Sequence, residues 1–149
     1  MMLHLLKISP LLFVSCVLWN SIRPRVPPPH VIDEGNVPSE IKVLKKENEK
    51  FVIFELYAPS ARYVTLAGDF NAWGGTADGL YNPNIDRMYD DGTHGDKVKG
   101  DGIWTIIKPL SPGVYQYKYV IDGVNWILDP SNPEKIQNGP YVNSILRVK

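Results

Sequence analysis

The chain has 149 residues, enough for one domain plus appendages. Its 16 Lys and Arg are balanced by 16 Asp and Glu, so charge calls for neither a nucleic acid nor an anionic membrane surface. The single Cys16 excludes an intrachain disulfide and a cysteine-based zinc site, and of His4, His30 and His94 only the last lies in the stretch expected to fold, which argues against a histidine triad or a multi-histidine metal centre.

Residues 1–19 read as a signal peptide, a lipoprotein-type anchor or a short membrane anchor. One positive charge in Met1–Lys7 precedes the apolar run Leu11–Trp19, the n-region and h-region order of an export signal, and the run is short for a bilayer span. Phe13-Val14-Ser15-Cys16 is similar to a lipoprotein signal, with Cys16 the lipidation candidate. It departs from that pattern at Phe13, where Leu is usual, and in the apolar Val17-Leu18-Trp19; an incidental cysteine in an ordinary signal stays open. The expected location is a bacterial periplasm or cell surface, exported or membrane-tethered, and cytoplasmic if the segment is not a working signal. Membrane contact is expected only through this segment.

Residues 20–39 read as a proline-rich linker. Arg23-Pro24-Arg25-Val26-Pro27-Pro28-Pro29-His30 lacks the N–H groups a helix or sheet ladder needs, so an extended, semi-rigid spacer is expected.

Residues 40–149 read as an all-β domain. Ile41–Leu44 and Phe51–Tyr57 flank the polar turn Lys45–Lys50, a hairpin signal, with Val52, Phe54 and Leu56 on one face of the second strand. Tyr63–Ala67 is the next strand, with Val64 and Leu66 inward, and Gly68 stops it. Ile103–Ile107 follows a Gly/Asp-rich stretch, and its Trp104 is expected in the core. Val114–Ile121 alternates: Tyr115, Tyr117, Tyr119 and Ile121 fall on one face, Gln116 and Lys118 on the other. Asp122-Gly123 makes a tight turn, Trp126–Leu128 returns, Asp129–Pro133 breaks the chain, and Val142–Val148 closes the domain. About seven short strands at this spacing predict an immunoglobulin-like sandwich.

Trp73 ends a Gly/Asn turn after a strand, and Trp126 follows a tight turn, with Lys118 in mid-strand. A pyranose ring has a face of C–H bonds that stacks on an indole and a rim of hydroxyls that needs donors and acceptors. Tryptophans beside turns favour a surface platform over the buried tryptophan common in sandwiches. Asp69 and Asn71 read as turn-formers that bond backbone N–H groups.

Tyr57-Ala58-Pro59, Gly68-Asp69-Phe70-Asn71-Ala72-Trp73, Tyr115-Gln116-Tyr117-Lys118-Tyr119, Asp122-Gly123, Trp126, Asp129-Pro130 and Val142-Asn143-Ser144-Ile145 occur in this order. As a set they resemble carbohydrate-binding module family 48, the glycogen- and starch-binding early-set domain. The same module occurs in the β subunit of AMP-activated protein kinase and ahead of the barrel in isoamylase-like and branching enzymes. The resemblance implies glucan contacts at Trp73, Lys118, Trp126 and Asn143: two stacking rings, a donor, and an amide that both donates and accepts. It covers about Glu40 to Lys149, and there are two departures. Gly139 stands where the kinase modules carry a glucan-threading Leu, with Tyr141 in place of a Thr and able to supply part of that contact by stacking. A long insertion, Gly74–Gly102, follows Trp73.

Asp90, Asp91, Asp96 and Asp101 in that insertion are candidate oxygen ligands for a hard cation such as Ca²⁺. Their spacing is not that of an EF-hand loop, and a glycine-rich hairpin with Asx-turns is the favoured reading, so no metal and no cofactor is expected. The function expected is non-catalytic binding of an α-1,4-linked glucan, with a glucan-processing enzyme or another protein as a further partner. The alternative is an early-set interaction domain that has lost the sugar site. Catalysis is not expected: Asp69, Asp122 and Asp129 have turn roles rather than forming a carboxylate pair, and no barrel stretch follows the sandwich.

Overall fold

The structure, a computed structural model, describes residues 23–149; the expected segment 1–19 and Cys16 lie outside the described residues. Among the described residues eight strands form the fold: β1 His30–Val31, β2 Lys50–Tyr57, β3 Val64–Gly68, β4 Ile103–Leu110, β5 Gly113–Ile121, β6 Asn125–Ile127, β7 Lys135–Asn138 and β8 Tyr141–Val148. They make two antiparallel sheets, one in the order β1-β2-β4 and one in the order β3-β5-β8-β7, with β6 beside the second half of β5. No helix among the described residues is long and apolar enough to cross a membrane.

Period-2 alternation builds the core. Val52, Phe54 and Leu56 of β2 meet Val64 and Leu66 of β3, Tyr117 and Tyr119 of β5, and Leu146 and Val148 of β8 between the sheets. Each such side chain contributes about 1.5–3 kcal/mol through burial. Trp104 packs against this cluster, as expected, and its indole Nε1 donates to Ala58 O at 3.0 Å. The core also holds a buried acid. Asp129 accepts from Tyr117 Oη at 2.8 Å, from Ser131 N at 2.8 Å and from Ser131 Oγ at 2.6 Å, which satisfies a carboxylate that burial alone would penalise.

Four features differ from the sequence reading. Ile41–Leu44 is not a hairpin strand: Ser39–Lys42 is a helical turn after Pro38. The edge of β2 it would need is taken by β1, through His30↔Ile53 and Val31↔Val52, so Ile41 instead packs with Val37, Phe51, Ile53 and Ile107 on the outward side of the three-stranded sheet. Consequently the chain is docked on the domain from about His30, inside the stretch read as a spacer, and His30 joins His94 in the folded part. Strand β7 was not expected, because Lys-Ile-Gln-Asn is exposed along its length and carries no buried alternation. Finally, the insertion pairs back on the sheets, with Thr65↔Arg87 along the free edge of β3 and Tyr89↔Thr105 against β4.

Candidate functional site

The outward face of the five-stranded sheet carries the candidate residues, and register explains why. Alternation that buries Tyr117 and Tyr119 turns Gln116 and Lys118 outward. Ala67 of β3 lies opposite Lys118, and Trp126 of β6 lies opposite Val120. On the other side Gln116 pairs with Ile145, and β7 sets Ile136 opposite Asn143 and Asn138 opposite Tyr141. Lys118, Trp126, Asn143 and Tyr141 therefore share one face.

Trp73 reaches that face from the turn after β3. Gly68 is required there by close approach: a Cβ at this position would run into Gln116 O and Tyr117. The chain then passes through four successive left-handed residues, Ala72 (φ 52), Trp73 (φ 54), Gly74 (φ 67) and Gly75 (φ 89). Left-handed φ at two non-glycine residues is strain that the surroundings must hold. Asn71 does so with four bonds: its Oδ1 accepts from Gly68 N at 2.9 Å and Gly74 N at 3.0 Å, and its Nδ2 donates to Leu66 O at 2.8 Å and Asp86 Oδ2 at 2.6 Å. Asp86 is in turn paired with Lys108 Nζ at 2.7 Å. Asp69 accepts from the Trp73 indole Nε1 at 3.2 Å and from Gln116 N at 2.7 Å, tying the ring to β5. Asp69 and Asn71 are thus turn-formers, and Asp69 also orients the ring.

The other positions follow from β5 outward. Tyr81, in the insertion, meets Trp126 edge-on with ring centroids 5.9 Å apart, and its hydroxyl bonds Thr65 Oγ1 at 2.7 Å. Burial raises the Tyr81 phenol above its ordinary pKa. Lys118 Nζ lies 5.9 Å from the centroid of the Tyr141 ring, which is 65% exposed, and makes no ion pair among the described residues. Asn143 is buried, and its Nδ2 donates to Gln116 Oε1 at 2.9 Å. One of the two Nδ2 hydrogens of Asn143 is therefore spent within the protein, and the other, with the amide oxygen, remains for a ligand.

Trp73, Lys118, Trp126, Tyr141 and Asn143 together line one groove of about 500 Å³. Thr76 and Asn138 complete the lining. Sequence reading missed both. Asn138 sits on the strand that had no apolar signature, Thr76 in an insertion without periodicity. No lining residue carries a carboxylate.

Among the candidate cation ligands, Asp90, Asp96 and Asp101 come together, with one oxygen of each within 4.8 Å of the others. Asp91 does not join them. It accepts from Thr93 N at 2.9 Å and Thr93 Oγ1 at 2.6 Å, and the hydroxyl bond holds its carboxyl below the usual range.

Comparison with known proteins adds three findings. Residues 41–141 match the family Carbohydrate-binding module 48 (Isoamylase N-terminal domain). The 1,4-alpha-glucan branching enzyme GlgB of Aquifex aeolicus (strain VF5) is 32% identical over 91 residues, 61% of this chain and 12% of the enzyme, and that of Geobacillus stearothermophilus is 35% identical over 79 residues, 53% of this chain and 10% of the enzyme. The chain thus spans about a tenth of the branching enzymes it matches. A crystal structure of maltogenic amylase from S. marinus superposes with a TM-score of 0.53 at 21% identity, over 81% of this chain and 16% of that one, a likeness of fold.

Proposed function

The chain belongs to the carbohydrate-binding module 48 family, a family of carbohydrate-binding domains, and we propose that its groove binds an α-1,4-linked glucan such as glycogen, starch or maltodextrin without breaking a bond. The observation that carries this reading is the convergence of Trp73, Trp126, Lys118 and Asn143 on one groove. Groove size agrees, since sites of 300–1,000 Å³ take ligands of a few sugar rings.

The residues divide the work by what their own bonds leave free. The Nε1 edge of Trp73 is committed to Asp69, so this indole offers its face. Trp126 offers a second face, held by Tyr81. Lys118 supplies up to three N–H donors to sugar hydroxyls, and Asn143 Oδ1 supplies an acceptor. Tyr141, at the rim, stacks or donates through its hydroxyl. Gly139 gives no side chain to thread a glucan turn, so the groove grips one side of the chain. A glycosidase needs two carboxylates flanking the scissile bond, and this lining has none, which supports binding without catalysis. Placement outside the cytoplasm, expected from residues 1–19, belongs to the same proposal. The mass of the mature chain from a membrane fraction tests it, including whether Cys16 is lipidated.

Electrophoresis through gels containing glycogen tests the binding reading. Wild type is expected to be retarded, with a dissociation constant in the micromolar to millimolar range, and Trp73→Ala or Trp126→Ala to migrate about tenfold less retarded in affinity terms, on the order of 1–2 kcal/mol per stacked ring. Wild-type mobility identical with and without glycogen would refute it. An early-set domain that docks on a protein is the second reading. It is favoured by Gly139 and by the exposed Ile136, Tyr141 and Val142 beside the groove. Maltoheptaose that leaves such docking undisturbed would separate the two.

A further inference from the structure

We propose that Asp90, Asp96 and Asp101 bind a calcium ion that pins the Gly74–Gly102 insertion to the start of β4. This inference does not depend on the glucan reading. One carboxylate oxygen of each residue lies within 4.8 Å of the others. Calcium takes oxygen ligands at about 2.3–2.6 Å, so ligands on opposite sides of one ion stand about 5 Å apart, and three oxygens within that span fit a single coordination sphere.

Two further observations point to a ligand. Asp90 Oδ1 is shut off from solvent and has no hydrogen-bond partner. Buried carboxylate oxygens are otherwise satisfied by donors or cations. Asp96 is only 7% exposed, yet its carboxylate accepts a single bond, from Gly92 N at 2.7 Å. Lys97 and Lys99 flank the cluster in sequence, but among the described residues no lysine or arginine forms an ion pair with any of the three acids. Three like charges thus gather with no counter-charge in contact. Backbone donors orient one oxygen of each acid: Gly102 N on Asp90 Oδ2 at 3.3 Å, Gly92 N on Asp96 Oδ2 and Ile103 N on Asp101 Oδ1 at 2.9 Å. The second oxygen of each accepts no hydrogen bond among the described residues.

Donor chemistry selects the metal. An all-oxygen, carboxylate set suits a hard cation and not zinc. Magnesium keeps several of its waters and demands near-ideal octahedral geometry, whereas calcium accepts flexible sets of carboxylate and carbonyl oxygens, so a carboxylate cluster on a loop favours calcium. The ion would join Asp90, just after the Tyr89↔Thr105 bridge, to Asp101, just before β4, closing both ends of the loop.

Calorimetric titration and thermal unfolding of the full chain, first stripped with EGTA, test the proposal. Calcium is expected to bind at one site and to raise Tm by about 5 °C or more, with magnesium giving less than half the shift. Asp101→Asn, at an exposed position, and Asp96→Asn are expected to abolish both responses, whereas Asp91→Asn keeps them. No heat and no Tm change at about 10 mM calcium, an equal response to magnesium, or an undiminished response in Asp101→Asn overturns it. Asp101→Asn decides the matter even if Asp96→Asn does not fold.

Discussion

Both outward faces of the sandwich arise from the same strand alternation, and they are treated in opposite ways. On the three-stranded sheet the outward residues are Phe51, Ile53 and Ile107, and the chain folds Ile32, Val37 and Ile41 over them. On the five-stranded sheet the outward residues include Gln116, Lys118, Trp126 and Asn143; Tyr81 of the insertion covers Thr65 and meets the edge of Trp126, and the rest of the face stays an open groove with Trp73 and Tyr141 at its rim. An apolar face that only had to fold would be closed, as the first one is. Aromatic surface held open by a strained turn and polar braces answers to a ligand.

The largest effect separates the faces by stability. Phe51 is 2% exposed, and Phe51→Ala is expected to cost about 3–5 kcal/mol in urea unfolding while leaving glycogen affinity of the folded protein unchanged. Trp126→Ala is expected to do the reverse, weakening glycogen binding about tenfold at a smaller cost in stability. A Phe51→Ala protein that unfolds like wild type would mean the N-terminal cover is not a second core.

The layer between the faces has its own signature. Tyr117 Oη donates to Asp129 Oδ2 at 2.8 Å, and Tyr119 Oη lies 3.1 Å from Glu55 O and 3.3 Å from Asp129 Oδ2. Burial, and then the negative charge of Asp129, raise both phenols well above their ordinary value of 10.0. The folded state therefore keeps protons that the unfolded chain releases. Stability from this pair is fully present below about pH 10 and is lost as pH rises beyond it, by up to about 1.4 kcal/mol per pH unit for each tyrosine. Urea midpoints are expected to hold steady from pH 8 to 9.5 and to fall above 10, less steeply in Tyr119→Phe. A midpoint unchanged through pH 11 would remove the pair from the ledger of stabilising groups.

Much of the open face was readable in the chain because it depends on alternation. Tyr115–Ile121 spells out which residues are inward, so Lys118 is outward without further information, and the turns beside Trp73 and Trp126 mark surface rings. The covered face was misread at Ile41–Leu44, since local apolar content cannot reveal that β1 already occupies the β2 edge. Asn138, Thr76 and Tyr81 escaped because their roles come from long-range placement and not from local pattern. The same holds for Asp90, Asp96 and Asp101: only folding shows which of four acids converge and that Asp91 turns to Thr93.

The smallest effect tests how the open face is held rather than what it touches. Asp69 bonds Trp73 Nε1 with one oxygen and Gln116 N with the other, so its carboxylate fixes the angle of the indole against β5. Asp69→Ala removes both bonds and leaves the left-handed turn at Trp73 to Asn71 and to the backbone bonds of Trp73 with Gly68 and Thr76, none of which fixes the indole. Glycogen affinity is expected to drop about three- to fivefold, less than for loss of the ring itself. Because Asp69 acts through Trp73, the Asp69→Ala/Trp73→Ala double variant is expected to bind no more weakly than Trp73→Ala alone. Additive losses in that cycle would assign Asp69 a direct contact with the sugar, or a structural role spread over the whole face, in place of the positioning role its two hydrogen bonds describe.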